Sequence, residues 1–194
     1  MKKLIVLASV ALTAVLTQAA TVNWSANGIL GSDGNALNSG AAYIFCTKGT
    51  SATSVAAVTA ALEALTTEDA LKDYLQNNSL GALKSTVSGG SAGVTGVDLT
   101  TSGVPAATSA TKLFAVIVDD DTFSAGTKYV IVGESNSVKT PAASTTNIAN
   151  FTLPASSATA SASSWKTASV PEPTSGLLML VGLGALALRR RKQA

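Results

Sequence analysis

Lys112-Leu113-Phe114-Ala115-Val116-Ile117-Val118 is followed by Asp119-Asp120-Asp121-Thr122-Phe123-Ser124-Ala125-Gly126 and then by Thr127-Lys128-Tyr129-Val130-Ile131-Val132. The two apolar runs, rich in β-branched residues and separated by turn formers, predict a pair of adjacent strands. Neither run alternates: apolar residues stand at successive positions, so both faces of each strand are expected to be covered, as in the centre of a sandwich or of a sheet backed by helices. An antiparallel register brings Lys112 near Glu134, a pair worth a few tenths of a kcal/mol.

Working outward, Thr21-Val22-Asn23-Trp24-Ser25 alternates as a strand with one face in water, and Tyr43-Ile44-Phe45 is a second strand. The turn formers Gly31-Ser32-Asp33-Gly34-Asn35 between them predict a hairpin at the edge of the sheet. Asp33 and Asn35 have the spacing that opens a calcium loop, but Ala36 and Leu37 break it and no Glu closes it, so a plain turn is the reading. Residues 54–78 change period: Val55, Val58, Leu62 and Leu65 recur at helical spacing, and Thr66 or Thr67 followed by Glu68 and Asp69 starts a second helical stretch carrying Leu71, Tyr74 and Leu75. One bent helix and a helical hairpin both fit. Residues 94–100 and 147–153 are further strand candidates. The fold expected is mainly β, of the α+β kind: an antiparallel β-sandwich-like domain over residues 20–153 with a helical insertion at about 54–78.

The chemistry available to such a domain is narrow. The chain has no histidine and a single cysteine, Cys46, which excludes a Ser-His-Asp arrangement, His-dependent acid–base catalysis and an internal disulfide. Cys46 ends the apolar run Ala41-Ala42-Tyr43-Ile44-Phe45-Cys46 and reads as a buried structural thiol. Asp119, Asp120 and Asp121 form the one run of three adjacent carboxylates. A calcium ion wants six to eight oxygens, and a strand sends neighbouring side chains to opposite faces, so the three converge only if the chain turns; the preferred reading is a solvated loop that discourages edge-to-edge association. No catalytic residue, metal or cofactor is expected, and a secreted hydrolase is the weakest of the function classes.

The two ends carry addresses. Lys2-Lys3, the apolar stretch from Leu4 to Leu16, and Thr17-Gln18-Ala19 have the order of a secretory signal peptide over residues 1–19. Cleavage between Ala19 and Ala20 is preferred, because cleavage one residue later puts the bulkier Gln18 at the −3 position. At the other end, the Ala-, Ser- and Thr-rich residues 154–169 read as a flexible spacer in which Trp165 either meets the membrane interface or docks back on the domain. Val170-Pro171-Glu172-Pro173-Thr174 follows, then the apolar run from Gly176 to Leu188 and the cluster Arg189-Arg190-Arg191-Lys192. The prolines fix an extended segment that cannot join a helix. The run of thirteen residues, or the segment 174–188 at its widest, is shorter than the roughly 20 that cross a bilayer unaided. The basic cluster holds its end on the cytoplasmic side. Six of the thirteen basic residues lie in these two ends; without them seven basic residues face eleven acidic ones, a formal charge of −4, which gives no support for nucleic-acid binding. The Asn-x-Ser/Thr triplets at Asn23, Asn77 and Asn150 read as chance matches.

The order of motif, apolar run and basic cluster in residues 170–194 resembles the PEP-CTERM signal of Gram-negative bacteria, and the likeness is confined to that region. The resemblance implies export through the inner membrane by way of a signal peptidase, a membrane-held intermediate, and processing by an exosortase-like membrane enzyme. Val170, Pro171, Glu172 and Pro173 would be its recognition residues and Arg189, Arg190, Arg191 and Lys192 would set topology. It also implies a surface or matrix role in which extracellular polysaccharide is a partner. A simple tail anchor is the alternative for the C-terminal region. For the domain, the alternative is a glycan- or calcium-binding module using the loops 33–38 and 119–123.

Overall fold

The computed structural model describes residues 19–154 and 164–168; the signal peptide, the middle of the expected spacer and the sorting region lie outside them. Among the described residues the chain is mainly β. Its strands are β1 (Thr21–Asn27), β2 (Ala41–Cys46), β3 (Ser85–Thr86), β4 (Ser91–Asp98), β5 (Leu113–Val118), β6 (Lys128–Val132), β7 (Ile148–Thr152) and β8 (Lys166–Thr167). They make a three-stranded sheet in the order β4-β1-β7 and a five-stranded sheet in the order β3-β2-β5-β6-β8.

The apolar pattern explains the layering. One core joins the sheets: Val22, Trp24 and Ala26 from β1 and Phe151 from β7 pack with Ile44 and Cys46 from β2, Leu113, Ala115 and Ile117 from β5, and Val130 and Val132 from β6. On the opposite face of the larger sheet, Tyr43, Phe45, Phe114, Val116 and Val118 form a second core with Val58 and Leu62 of α1 (Val55–Glu63) and Leu71 and Leu75 of α2 (Glu68–Asn78). All six positions of β2 and of β5 are buried in consequence. The unbroken apolar runs therefore mark strands covered by a sheet on one side and by helices on the other.

The helical insertion is a pair of helices rather than one bent helix. Ser54 caps α1 by accepting from the Ala57 N–H, and Thr67 caps α2 by accepting from the Ala70 N–H. Glu68 and Asp69 in the first turn of α2 complement the helix dipole. A 3-10 turn, Gly81–Leu83, brings the chain back to the sheets, and its Leu83 carbonyl accepts the indole N–H of Trp24 at 2.9 Å. The short helix α3 (Leu99–Ser102) closes the core between β4 and β5 through Leu99.

Two expectations need correction. Thr21–Ser25 and Tyr43–Phe45 do not form an edge hairpin: β1 is the middle strand of the smaller sheet, while β2 lies inside the larger one. The turn does form, with the Gly31 N–H donating to the Asn35 carbonyl at 2.8 Å, but the chain then crosses to the other layer. Alternation told which face of each strand is buried and nothing about which strand lies beside it. Nor is pairing wholly antiparallel, since β1 runs parallel to β7. The β1–β4 register slips between Val22 and Trp24, where Gly96 adopts φ +71° and donates its N–H to Asn23 Oδ1 at 2.7 Å. A bulge there needs a residue free to take positive φ, and the Asn side chain satisfies the donor that the ladder leaves over.

Candidate functional site

The loop after β5 and the loop after β1 meet at one end of the larger sheet. Gly31, Ser32, Asp33, Asn35, Asn38 and Ser39 line a polar concavity of about 540 Å³ together with Asp119. Ser39 Oγ donates to the Asp119 carbonyl at 3.3 Å, and Lys128 Nζ of β6 donates to Ser32 Oγ at 2.9 Å. Asn35 grips Asp33 twice, from its side-chain amide at 2.9 Å and its backbone N–H at 3.0 Å. Those bonds hold the Asp33 carboxyl below its ordinary range. The two loops nominated for binding are thus neighbours in space, although residues 33–38 and 119–123 are far apart in sequence.

The three adjacent carboxylates do not converge. Asp119 Oδ1 accepts the Lys128 N–H at 2.7 Å and so fastens the start of β6. Asp120 turns back into its own loop, accepting from the Thr122 N–H at 2.8 Å, the Thr122 hydroxyl at 2.6 Å, the Ser124 N–H at 3.0 Å and the Ser124 hydroxyl. The bonds from Ser124 and Thr122 hold its carboxyl far below the usual carboxylate range. Asp121 Oδ1 accepts from Lys84 Nζ at 2.7 Å and from the Tyr43 hydroxyl at 3.4 Å. Lys84 also lies 4.9 Å from the centre of the Tyr43 ring, and burial pushes the Tyr43 phenol up. Among the described residues no group of three or more His, Cys, Asp or Glu side chains is placed to hold a metal ion.

Cys46 is buried in the shared core, and burial pushes its thiol up, away from the thiolate that nucleophilic chemistry requires. A second concavity, of about 300 Å³, lies between the loop after β2 and the end of α2, lined by Ser51, Thr53, Tyr74, Asn77, Asn78 and Ser79 around the edge of Phe45. Sequence reasoning passed over it, because its residues looked only like a helix stop and a connecting loop.

The end of the expected spacer is part of the domain. Residues 166 and 167 form β8, which pairs with β6 in the register Lys128↔Thr167 and Tyr129↔Lys166. Trp165 docks back: its indole N–H donates to the Leu30 carbonyl at 2.9 Å. Lys166 Nζ forms an ion pair with Glu63 of α1, and Ala168 is buried in the sheet–helix core. Composition argued for a free linker because Ala, Ser and Thr bury little surface each, but Trp165, the pairing of β8 with β6, the Lys166–Glu63 ion pair and the buried Ala168 are among the contacts that seat these residues.

Of the address residues, Ala19 is half-buried and Ala20 fully buried. The Ala20 N–H donates to the Ala143 carbonyl at 3.3 Å and its carbonyl accepts from the Leu99 N–H at 2.7 Å. Val170, Pro171, Glu172 and Pro173 and the cluster Arg189, Arg190, Arg191 and Lys192 lie outside the described residues. No helix among the described residues is long and apolar enough to cross a membrane.

The fold therefore defines a two-sheet β domain with a helical cover, in which Asp119 and Asp120 hold the loop after β5 and Asp121 pairs with Lys84. Residues 169–192 match the model of the PEP-CTERM protein-sorting motif. That match identifies the C-terminal region as a PEP-CTERM sorting motif, which supports an exported protein processed by an exosortase and implies a membrane-anchored intermediate. No curated protein and no solved structure matches the chain.

Proposed function

We propose that this chain is a non-enzymatic surface or matrix protein, exported behind a signal peptide and handed at its C-terminal region to an exosortase-like enzyme. The observation that carries the reading is the sorting-motif match over residues 169–192. Val170, Pro171, Glu172 and Pro173 act as recognition residues, the run to Leu188 is the membrane-seeking segment, and Arg189, Arg190, Arg191 and Lys192 keep its end cytoplasmic. At the other end, signal peptidase cuts between Ala19 and Ala20. A cut there leaves both backbone bonds at Ala20 in place, whereas a cut one residue later removes a fully buried residue that two neighbours hold.

The non-enzymatic reading draws support from the absence of histidine in the chain and from the structural hydrogen bonds that occupy Asp119, Asp120 and Asp121. A second reading, in which the domain binds a polysaccharide, is favoured by one observation: the loop 31–39 and Asp119, the first residue of the loop 119–123, line a concavity of about 540 Å³ that carries hydroxyl, amide and carboxyl groups. That volume lies in the range of small-ligand sites, roughly 300–1,000 Å³. The calcium version of this reading has less to recommend it, because the carboxylates diverge.

The deciding experiment is intact-mass analysis of the protein from culture medium and from the membrane fraction. The medium species should begin at Ala20 and end between Pro171 and Thr174. A membrane species that keeps Arg189 to Lys192 in cells with an active exosortase would instead make the region a tail anchor. For the second reading, the melting temperature should rise with soluble polysaccharide and stay fixed at millimolar calcium; an unchanged melting temperature with every polysaccharide tried removes it.

A further inference from the structure

The second concavity differs from the first in what its side chains are doing. Around the larger one, Ser32, Asp33, Asn35, Ser39 and Asp119 are all engaged by neighbours within the fold. In the smaller one, the hydroxyls of Ser51, Thr53, Tyr74 and Ser79 and the amide of Asn77 take part in no hydrogen bond among the described residues. Asn78 donates its side-chain amide to the Tyr74 carbonyl at 2.8 Å, which leaves its side-chain oxygen to accept elsewhere. Gathered on one concavity of about 300 Å³ with Phe45 beside them, these groups form a set that a single ligand can address together.

The walls are fixed before any ligand arrives. The Thr53 N–H donates to the Cys46 carbonyl at 3.0 Å and the Leu80 N–H to the Ile44 carbonyl at 2.7 Å, so the loop and the segment after α2 are both fastened to β2. Leu71 and Leu75 hold α2 itself in the sheet–helix core. A preformed site loses little binding free energy to ordering its own groups.

The chemistry selects a ligand class. No lining residue is charged, and the last turn of α2 carries no basic residue to offset the roughly half negative charge that a helix presents at its carbonyl end. An anion is therefore disfavoured. Hydroxyls and amides that both donate and accept match a polyol, each of whose hydroxyls does the same. Phe45 and Tyr74 add aromatic surface for the apolar C–H face of a sugar ring, and the Tyr74 hydroxyl gives that surface a polar tip. The volume stands at the lower end of the small-ligand range of roughly 300–1,000 Å³, which suits a short ligand.

We infer that the concavity between residues 51–53 and the end of α2 is a binding site for an uncharged sugar unit, held by Ser51, Thr53, Asn77 and Asn78 with Tyr74 as its aromatic contact. The site is separate from the larger concavity, and it does not depend on the sorting reading.

The test is saturation-transfer NMR with a binding titration on the full chain, held in a detergent that contains no sugar. The probes are methyl glycosides of glucose, galactose and mannose, short neutral oligomers of each, and glucuronic acid as the anionic counterpart. At least one neutral probe should bind, either as tightly in monomer as in oligomer, which assigns the site to a free sugar, or more tightly with length, which assigns it to a polymer. Asn77 is exposed, so Asn77→Ala should leave the melting temperature in place while weakening binding about three- to tenfold, the effect of one hydrogen bond. Tyr74→Phe keeps the ring, removes the hydroxyl and should weaken binding by a similar factor. Asn38→Ala, in the larger concavity, should change nothing. If Asn77→Ala and Tyr74→Phe bind like the unaltered chain while Asn38→Ala binds more weakly, the sugar sits in the larger concavity: this proposal falls and the polysaccharide reading of that site stands. If glucuronic acid binds as tightly as any neutral probe, or if no neutral probe binds, the proposal falls as well.

Discussion

The two sheets share a core, yet they are built to different rules. In the five-stranded sheet, β2 and β5 are buried at every position because the smaller sheet covers one face and α1 and α2 the other. In the three-stranded sheet, β1 and β7 alternate: Val22, Trp24, Ala149 and Phe151 face inward, while the outer face shows Asn23, Ser25, Asn150 and Thr152. The outer residues are uncharged, and Asn23 donates its side-chain amide to Asn150 Oδ1 at 2.9 Å across the parallel pair. The lesson is that a strand's tolerance to change is set by how many layers it separates. Substitutions along β5 should be costly at consecutive positions, and along β1 only at every second one.

The largest expected effect breaks the doubly covered strand. Phe114 is fully buried on the helix side, with its ring stacked on Phe45 at 5.3 Å and 16°. Phe114→Ala should lower stability by about 3–5 kcal/mol, and Ile117→Ala on the opposite face by about 2–5 kcal/mol, as read from urea unfolding. In β1 the same pair of tests should split. Trp24→Phe keeps most of the ring but leaves the buried Leu83 carbonyl without the indole, a loss of about 1–3 kcal/mol, whereas Ser25→Ala next to it should stay within about 0.5 kcal/mol. A Ser25→Ala cost equal to that of Trp24→Phe would mean the outer face of the smaller sheet is covered by something, and the contrast between the sheets would disappear.

How legible this was differs between layers for a physical reason. Burial on both faces writes itself into the sequence as unbroken apolar runs, so β2, β5 and β6 were readable, as were the two helices from their apolar spacing and from Ser54 and Thr67 at their starts. Pairing is another matter. The alternation of Thr21–Ser25 is the same whether its neighbour is Tyr43–Phe45 or the strands β4 and β7, and the Gly31–Asn35 turn serves a crossover as readily as a hairpin. The candidate site was half legible. Loops 33–38 and 119–123 were singled out, but their meeting depends on β2 starting beside the end of β5, with Ala41 opposite Val118, which no local pattern records. The seating of residues 164–168 was half legible for the opposite reason: docking of Trp165 was one of its two readings, but the burial of Ala168 and the pairing of β8 were not visible in a tract whose average composition argues for disorder.

The loop that joins β5 to β6 sharpens the comparison at its edge. Here the doubly covered sheet is turned by side chains of one local segment, with Asp120 accepting four hydrogen bonds from Thr122 and Ser124. Asp120→Ala should cost about 1–2 kcal/mol, with Asp120→Asn recovering part of it. The pH response has a definite sign. The folded-state carboxyl is held far below its unfolded value, which is about 3.9. Its contribution is therefore fully present above about pH 4 and is lost as the pH falls through the folded value. Stability of the unaltered chain should decline below pH 4 more steeply than that of Asp120→Asn in paired melting curves. Parallel curves would mean the carboxylate charge adds nothing to the turn.

The smallest effect separates the sheets by the kind of pair each carries at its surface. At the rim of the larger sheet Lys112 Nζ and Glu134 Oε2 lie 2.7 Å apart, with side-chain exposures of 39% and 37%. On the smaller sheet the corresponding pair is the neutral one between Asn23 and Asn150. An exposed ion pair in that setting is worth about 0.2–1 kcal/mol in a double-mutant cycle, and salt weakens it because the Debye length shrinks to about 3 Å at 1 M. The coupling measured through Lys112→Ala, Glu134→Ala and the double variant should thus fade between 0.1 M and 1 M salt. The loss caused by Asn150→Ala should be of similar size and indifferent to salt, since no net charge is involved. A Lys112–Glu134 coupling that persists at 1 M would mean the contact between β5 and the end of β6 is held by packing and backbone pairing, with the charges incidental to it.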